Sequence, residues 1–326
     1  MTIDPTGLAS AAAAVDAAGA APDAPEGTEG KAIEGRSPWV LGWQRLRRDR
    51  VAMISLAVII LVILMAIFAP LATVLTGHPP NEQYRDIGLT PDGLPKGPTS
   101  QFWLGTDDLG RDILVRIAYG ARISLLVGVV ATAIAVAVGV VIGLAAGFFG
   151  GWVDTVLARL VDVVLCVPFL LLAIALVSIT GPGLAITILV IGFFSWASVA
   201  RIVRGQVLSL REREFVEAAR SLGASDSRIM FVDILPNVLA PVIVYSSLLI
   251  PVVIVVEATL SFLGLGLPPP TADWGGMISD GQKYYTTAWW FFIFPGAALL
   301  ITTLAFNLFG DGVRDAFDPR SDQLIK

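Results

Sequence analysis

Residues 209–237, SLREREFVEAARSLGASDSRIMFVDILPN, form a charged, helix-patterned block between two long apolar runs. Ionisable groups beside hydrocarbon are expensive, so such a block implies a segment built to touch something in water. Leu208, Phe215, Ala218, Ala219 and Leu222 fall at helical spacings and predict a narrow apolar stripe, with Arg213, Glu217 and Arg220 placed to pair on the neighbouring face. Gly223 predicts the helix end. Ser225 or Asp226 can cap a second short helix that runs toward Pro236 and the membrane. Periodicity leaves two readings open: a helix that docks on a partner, or a surface helix whose Glu217 only balances two arginines.

The composition sets the environment of that block. Of 326 residues, 55% are hydrophobic and 15% charged, and the mean hydropathy is +0.76. Soluble domains carry about 25% charged residues, so the chain belongs in a membrane. The net charge of −5 arises in the first 35 residues, where six acids face Lys31 alone, and the remaining body is neutral. Cys166 is the one cysteine and His78 the one histidine. No internal disulfide, thiolate metal cluster or Ser-His-Asp hydrolase follows from that pair, and no HExxH occurs. An intramembrane enzyme is therefore disfavoured, as is a self-contained ion channel, since nothing resembles a filter and the charged block would be idle.

Residues 1–38, rich in Ala, Pro, Gly and acids without an apolar face, predict a disordered tail. A membrane span needs about 20 apolar residues. Six stretches qualify, at 51–75, 123–147, 157–179, 184–203, 239–263 and 288–310. The predicted fold is all-α and polytopic: a segment 39–75 with the first span, a loop 76–122, and a core 123–310 that holds spans two to six. Within the core lies the charged loop 204–237, and residues 311–326 form a terminal tail. Six spans place both termini on one side, and 16 of the 22 Lys and Arg residues then fall on that side, which makes it the cytoplasm.

On the outer side, WLGTDDLGRDILVRIAYGARISL (103–125) opens with a compact polar knot, Thr106, Asp107, Gly110, Arg111 and Asp112. Asp112 and Arg116 stand at helical pairing distance. The knot is either a loop braced by its own turn chemistry or a contact surface for another protein. A second outer loop, about 264–287, leads to Trp274, Tyr284, Tyr285, Trp289 and Trp290, read as an interfacial aromatic belt.

Several of these segments carry a family resemblance. Glu217-Ala218-Ala219, Gly223 and Leu235-Pro236 look like the "EAA" loop by which membrane subunits of bacterial binding-protein-dependent ABC importers grip their ATPases. LGTDDLGRD (104–112), EATLSFLGLG (257–266) and GDGVRDAFDPR (310–320) resemble signatures of the C-type permease of dipeptide, oligopeptide and nickel importers. The similarity covers residue 39 to the end. Asp233 departs from it, standing where relatives often have His or an aliphatic residue.

The resemblance implies a transport subunit of the type I fold in a bacterial cell membrane, not an enzyme. It would form half of a translocation path for di- or oligopeptides, with nickel or another small solute as the alternative. It implies three kinds of partner besides the bilayer, and no nucleic acid: a homologous B-type permease, two cytosolic ATPases and an extracytoplasmic solute-binding protein. Phe215, Glu217, Ala218, Ala219, Gly223, Leu235 and Pro236 would couple to the ATPases. ATP and magnesium would be held by those subunits, with no cofactor on this chain. Its nearest approach to a phosphate loop, residues 25–32, lacks the first Gly and the Ser or Thr after Lys. Glu257 and Asn307 are candidates for the path or a gate. Each also admits a structural reading, Glu257 as an anchor of its helix end and Asn307 as a bond to a neighbouring helix.

Overall fold

The computed structural model describes residues 38–317, so the expectations for the acidic tail and for Asp318-Pro319-Arg320 lie outside the described residues. Those described form thirteen helices and, among them, no named strand. In chain order they are α1 Pro38–Leu46, α2 Arg50–Ile67, α3 Ala69–Thr76, α4 Arg85–Gly88, α5 Ile113–Phe149, α6 Gly151–Cys166 and α7 Phe169–Thr180. There follow α8 Leu184–Leu210, α9 Glu214–Ser221, α10 Asp226–Arg228, α11 Leu235–Phe262, α12 Trp274–Gln282 and α13 Trp289–Phe317. A π-helical turn, Ile229–Ile234, joins α10 to α11.

Five helices are long and apolar enough to cross a membrane. The sixth expected span is not one rod: α6 and α7 meet at an angle of 82°. Pro168 explains the break, because it lacks an N–H and forces the preceding residue out of the helical region. Val167 is extended, at φ −80° and ψ 126°. Ion pairs tie α6 to α8 beside the break. Arg204 grips Asp154, with Nη2 to Oδ2 at 2.7 Å, and Asp162 lies 3.0 Å from Arg201 and 3.5 Å from Arg159. Together with α5 they frame a cavity of about 350 Å³.

The core is built on close approach of α5 and α8. Gly139, Gly143 and Gly147 recur every fourth residue and face Val199, Val203 and Val207 in turn. A Cβ on Gly143 would lie 2.6 Å from the carbonyl oxygen of Ala200. Small residues at this spacing let membrane helices approach backbone to backbone, where dispersion does most of the work. Residue numbers rise together along both helices, so α5 and α8 run parallel. The block that follows Leu210 therefore lies at the Phe149 end of α5, and Asp112, which caps the start of α5, lies at the other end. At 37 residues and about 1.5 Å per residue, α5 exceeds the roughly 30 Å of hydrocarbon.

Candidate functional site

At the Phe149 end, the block is shorter and more segmented than its pattern suggested. The α8 helix runs on to Leu210, so Leu208 belongs to it and not to the stripe. The stretch 211–213 breaks the chain before α9. Within α9, Val216 is the fully buried residue, joined in the main core by Ile229 and Ile234 of the π turn. Ala219 packs against the same core, whereas Phe215 is 42% and Leu222 88% exposed. The apolar residues of α9 thus split, one set holding the helix to the bundle and the other facing outward.

The end of α9 follows from Gly223, whose φ is +78°. Gly223 N–H donates to the Arg220 carbonyl at 2.9 Å and Ala224 N–H to the Ala219 carbonyl at 3.0 Å, the paired bonds of a Schellman cap. Ser225 then accepts from Arg228 N–H and starts α10. Expected pairing of Glu217 with Arg213 or Arg220 is absent among the described residues. Arg220 sits 5.9 Å over the Phe148 ring instead, and Arg211 donates to the Gly147 carbonyl at 3.1 Å. Both contacts rest the block on the last turn of α5. Leu235-Pro236 does not break the chain: both open α11, and Pro236 falls in its first turn, where no N–H is needed. Asp233 leaves the turn intact, with Asn237 Nδ2 bonding its carbonyl at 2.7 Å. Glu217, Ala218, Phe231 and Val232 are exposed. With Phe215 and Leu222 they give the block an apolar platform set among exposed carboxylates, on a backbone held to the core by Val216, Ile229 and Ile234.

At the other end the polar knot faces inward. Thr106, Asp107 and Asp112 are fully buried and Arg111 nearly so. Asp107 Oδ2 takes Arg111 Nε at 2.6 Å and lies 3.4 Å from Arg116 Nε. Its Oδ1 accepts from the backbone of Leu109 and Arg111. The expected Asp112–Arg116 pair does not form. Asp112 Oδ1 instead caps α5 at Leu114 N–H, 2.9 Å, and Oδ2 meets His78 Nδ1 at 2.9 Å. Arg116 Nη1 reaches the carbonyls of Pro80 and Pro270. Gly110, at φ +77°, packs under the Tyr84 carbonyl, where a Cβ would clash at 2.8 Å. The knot thus clamps three segments, near residues 78–88, 104–116 and 270, and in the single chain it offers little of itself to solvent.

His78 is the member sequence reasoning missed, whereas Arg116 was singled out but with Asp112 as its partner in place of Asp107. His78 lies 34 positions from its partner, and no local pattern signals it. Trp274 corrects the belt reading, being fully buried with Nε1 donating to the Ile117 carbonyl at 3.1 Å. Tyr285 and Trp289 are the exposed members.

Glu257 lies inside the bundle, fully buried, accepting from Ser124 on α5 at 3.0 Å and from Ser261 at 3.2 Å. This geometry joins α5 to α11. Asn307 is exposed on α13 and bonds its own helix at the Thr303 carbonyl, 3.0 Å.

A helical bundle with a buried polar clamp at one end and exposed apolar side chains at the other, and with five helices long and apolar enough to span, defines a polytopic membrane protein. Residues 139–323 match the family described as binding-protein-dependent transport system inner membrane component, and residues 37–91 match the N-terminal TM domain of oligopeptide transport permease C. The chain belongs to the binding-protein-dependent transport system inner membrane component family: it is a multi-pass transport component, not an ATPase. It is 42% identical over 284 residues to a dipeptide transport system permease protein of Alkalihalophilus pseudofirmus, covering 87% of this chain and 90% of that one. Against the oligopeptide transport system permease protein of Escherichia coli K12 it is 44% identical, over 90% and 95% of the two chains. A glutathione transport system permease protein of Escherichia coli O157:H7 is 43% identical, over 87% and 91%. An inward-facing structure of the MetNI methionine ABC transporter shares the fold, with TM-score 0.50 and 19% identity over 62% of this chain and 96% of that one.

Proposed function

We propose that this chain is one of two homologous permease halves of a peptide importer, and that its 211–234 block grips a separate ATPase. The observation that carries the reading is the platform of Phe215, Leu222, Phe231 and Val232. Apolar side chains stay exposed there while Val216, Ile229 and Ile234 lock their backbone to the bundle. Exposed apolar surface on a fixed base is the anatomy of an interface. Phe215, Glu217, Ala218, Ala219 and Gly223 shape that surface, and Leu235-Pro236 returns the chain to the membrane.

The bias of Lys and Arg toward the block's side supports placing that side, and both termini, in the cytoplasm. ATP and magnesium then belong to two cytosolic ATPases, and the solute arrives from an extracytoplasmic binding protein at the knot end. Since the side chains of Thr106, Asp107, Arg111 and Asp112 turn inward, their part in that contact is to hold the surrounding loops in place. A di- or oligopeptide cargo is supported by relatives whose names specify dipeptide and oligopeptide transport.

The test is reconstitution of the assembled complex in proteoliposomes. Gly223→Pro removes an N–H that closes the α9 cap and cannot reach φ +78°. Paired with Glu217→Ala, it should abolish binding-protein-stimulated ATP hydrolysis while the subunit still inserts. Undiminished stimulation in both variants would sink the reading.

A further inference from the structure

A trough runs along the outside of the bundle between α8 and α11. It comprises two cavities of about 390 and 540 Å³ that share Tyr245 and Leu248. Ser195, Ser198, Ile202 and Gln206 line its α8 side at spacings of three and four, and so lie on one helix face. From Ile191 to Gln206 the lining covers about 22 Å at 1.5 Å per residue, most of the hydrocarbon thickness. Phe169 and Phe194, in edge contact at 5.6 Å, stand at one end. Arg314 stands at the other, beside Gln206.

Several hydroxyls of this bundle are satisfied within their own helix, while Thr132 and Thr302, buried inside the bundle, have no partner among the described residues. Ser178, Thr180, Ser246 and Thr259 each bond back to the carbonyl four residues earlier, at 2.6–2.8 Å. That is how a hydroxyl is satisfied next to lipid. Ser195, Ser198 and Tyr245 are half-buried, and neither they nor Gln206 make a side-chain hydrogen bond to the described residues. All four converge on the trough. A polar group without a partner in hydrocarbon costs several kcal/mol, so this face meets water or a polar solute. Fixed charge is confined to the Arg314 end, because Glu257 is turned into the bundle. Hydroxyl, amide and aromatic groups without charge suit a solute recognised by its backbone and tolerated in its side chains.

We propose that the α8–α11 trough is this chain's half of the solute path, in which Ser195, Ser198, Gln206 and Tyr245 hydrogen-bond the amide groups of a passing short peptide. The proposal rests on the permease reading above and names the residues that reading leaves open. One wall is missing from the trough, and a second permease subunit completes it.

The experiment uses the assembled complex in lipid, with Cys166→Ser as background and single cysteines at Ser195, Ser198 and Gln206. Phe193→Cys, on an exposed apolar position of the same helix, is the lipid-facing control. A small hydrophilic methanethiosulfonate, which reacts with thiols in water, should label the three trough positions and spare the control. Alanyl-alanine delivered by the binding protein should slow that labelling. Ser195→Ala with Ser198→Ala should reduce alanyl-alanine uptake about tenfold, the loss of two ordinary hydrogen bonds. Labelling no faster than the control, in a complex that still transports, overturns the path assignment alone and leaves lipid or a partner helix in the trough. Labelling that the dipeptide does not slow overturns the solute as occupant. A wild-type complex without ATP-driven uptake overturns the permease reading as well.

Discussion

Asp107 carries the knot, because both arginines beside it depend on its carboxylate. Removing one partner of a buried ion pair strands the other charge and costs about 3–5 kcal/mol. Asp107→Ala should therefore lower the melting temperature of the purified complex sharply, with unchanged binding-protein affinity in what survives. A loss of affinity at constant melting temperature would instead make the knot a contact surface. Asp108 is the knot's liability. Burial, with Asp107 and Asp280 near, pushes its carboxyl above the usual carboxylate range. An acid whose folded pKa is raised destabilises the fold as pH rises from its unfolded to its folded pKa. Asp108→Asn should remove that penalty, raising the melting temperature at neutral pH and flattening the gain wild type shows on mild acidification. Equal pH profiles for the two proteins would contradict this. At Glu257, the Gln variant keeps an acceptor for Ser124 or Ser261, whereas Ala leaves both hydroxyls unmet and should cost about 1–3 kcal/mol. Normal stability with altered transport in Glu257→Ala would return the residue to the gate.

Elements were legible where their signals are local. Long apolar runs marked the five spanning helices, and Gly223 marked the end of α9, because hydropathy and positive φ act within a few residues. Misreadings came from longer reach. Spans two and five extend beyond their apolar cores, since polar residues continue a helix once tertiary contacts favour it. Pro168 was visible inside the third apolar run, yet composition alone hid the 82° bend it makes. The Gly139, Gly143, Gly147 spacing was likewise visible, but only the structure shows that Val199, Val203 and Val207 fill it. Gly143→Ala sets a Cβ against an immovable carbonyl and should destabilise by about 1–3 kcal/mol, as overpacking does. Gly205→Ala, with open space around it, should be neutral or raise stability by about 0.5–1 kcal/mol. Thermal melts of both variants check the α5–α8 contact, and similar effects at the two sites would refute it.

For the whole molecule, the parallel α5 and α8 place platform and knot at opposite ends, with the trough along α8 between them. The platform rests on Gly147 and Phe148 at one end of α5, and Asp112 pins the other. Movement at the platform therefore has a continuous helical route to the solute path. The 209–237 block stood out in the sequence because charge beside hydrocarbon needs a reason. Its outward face could not be read there, since periodicity does not tell which of Phe215 and Val216 is buried. Leu222, 88% exposed, offers the cleanest probe, because Leu222→Asp alters the platform without touching the core. The decisive measurement is the ATPase retained when that variant is purified with its partner permease. The account predicts an intact permease pair with unchanged melting and little or no bound ATPase. ATPase retained at the wild-type ratio would contradict it.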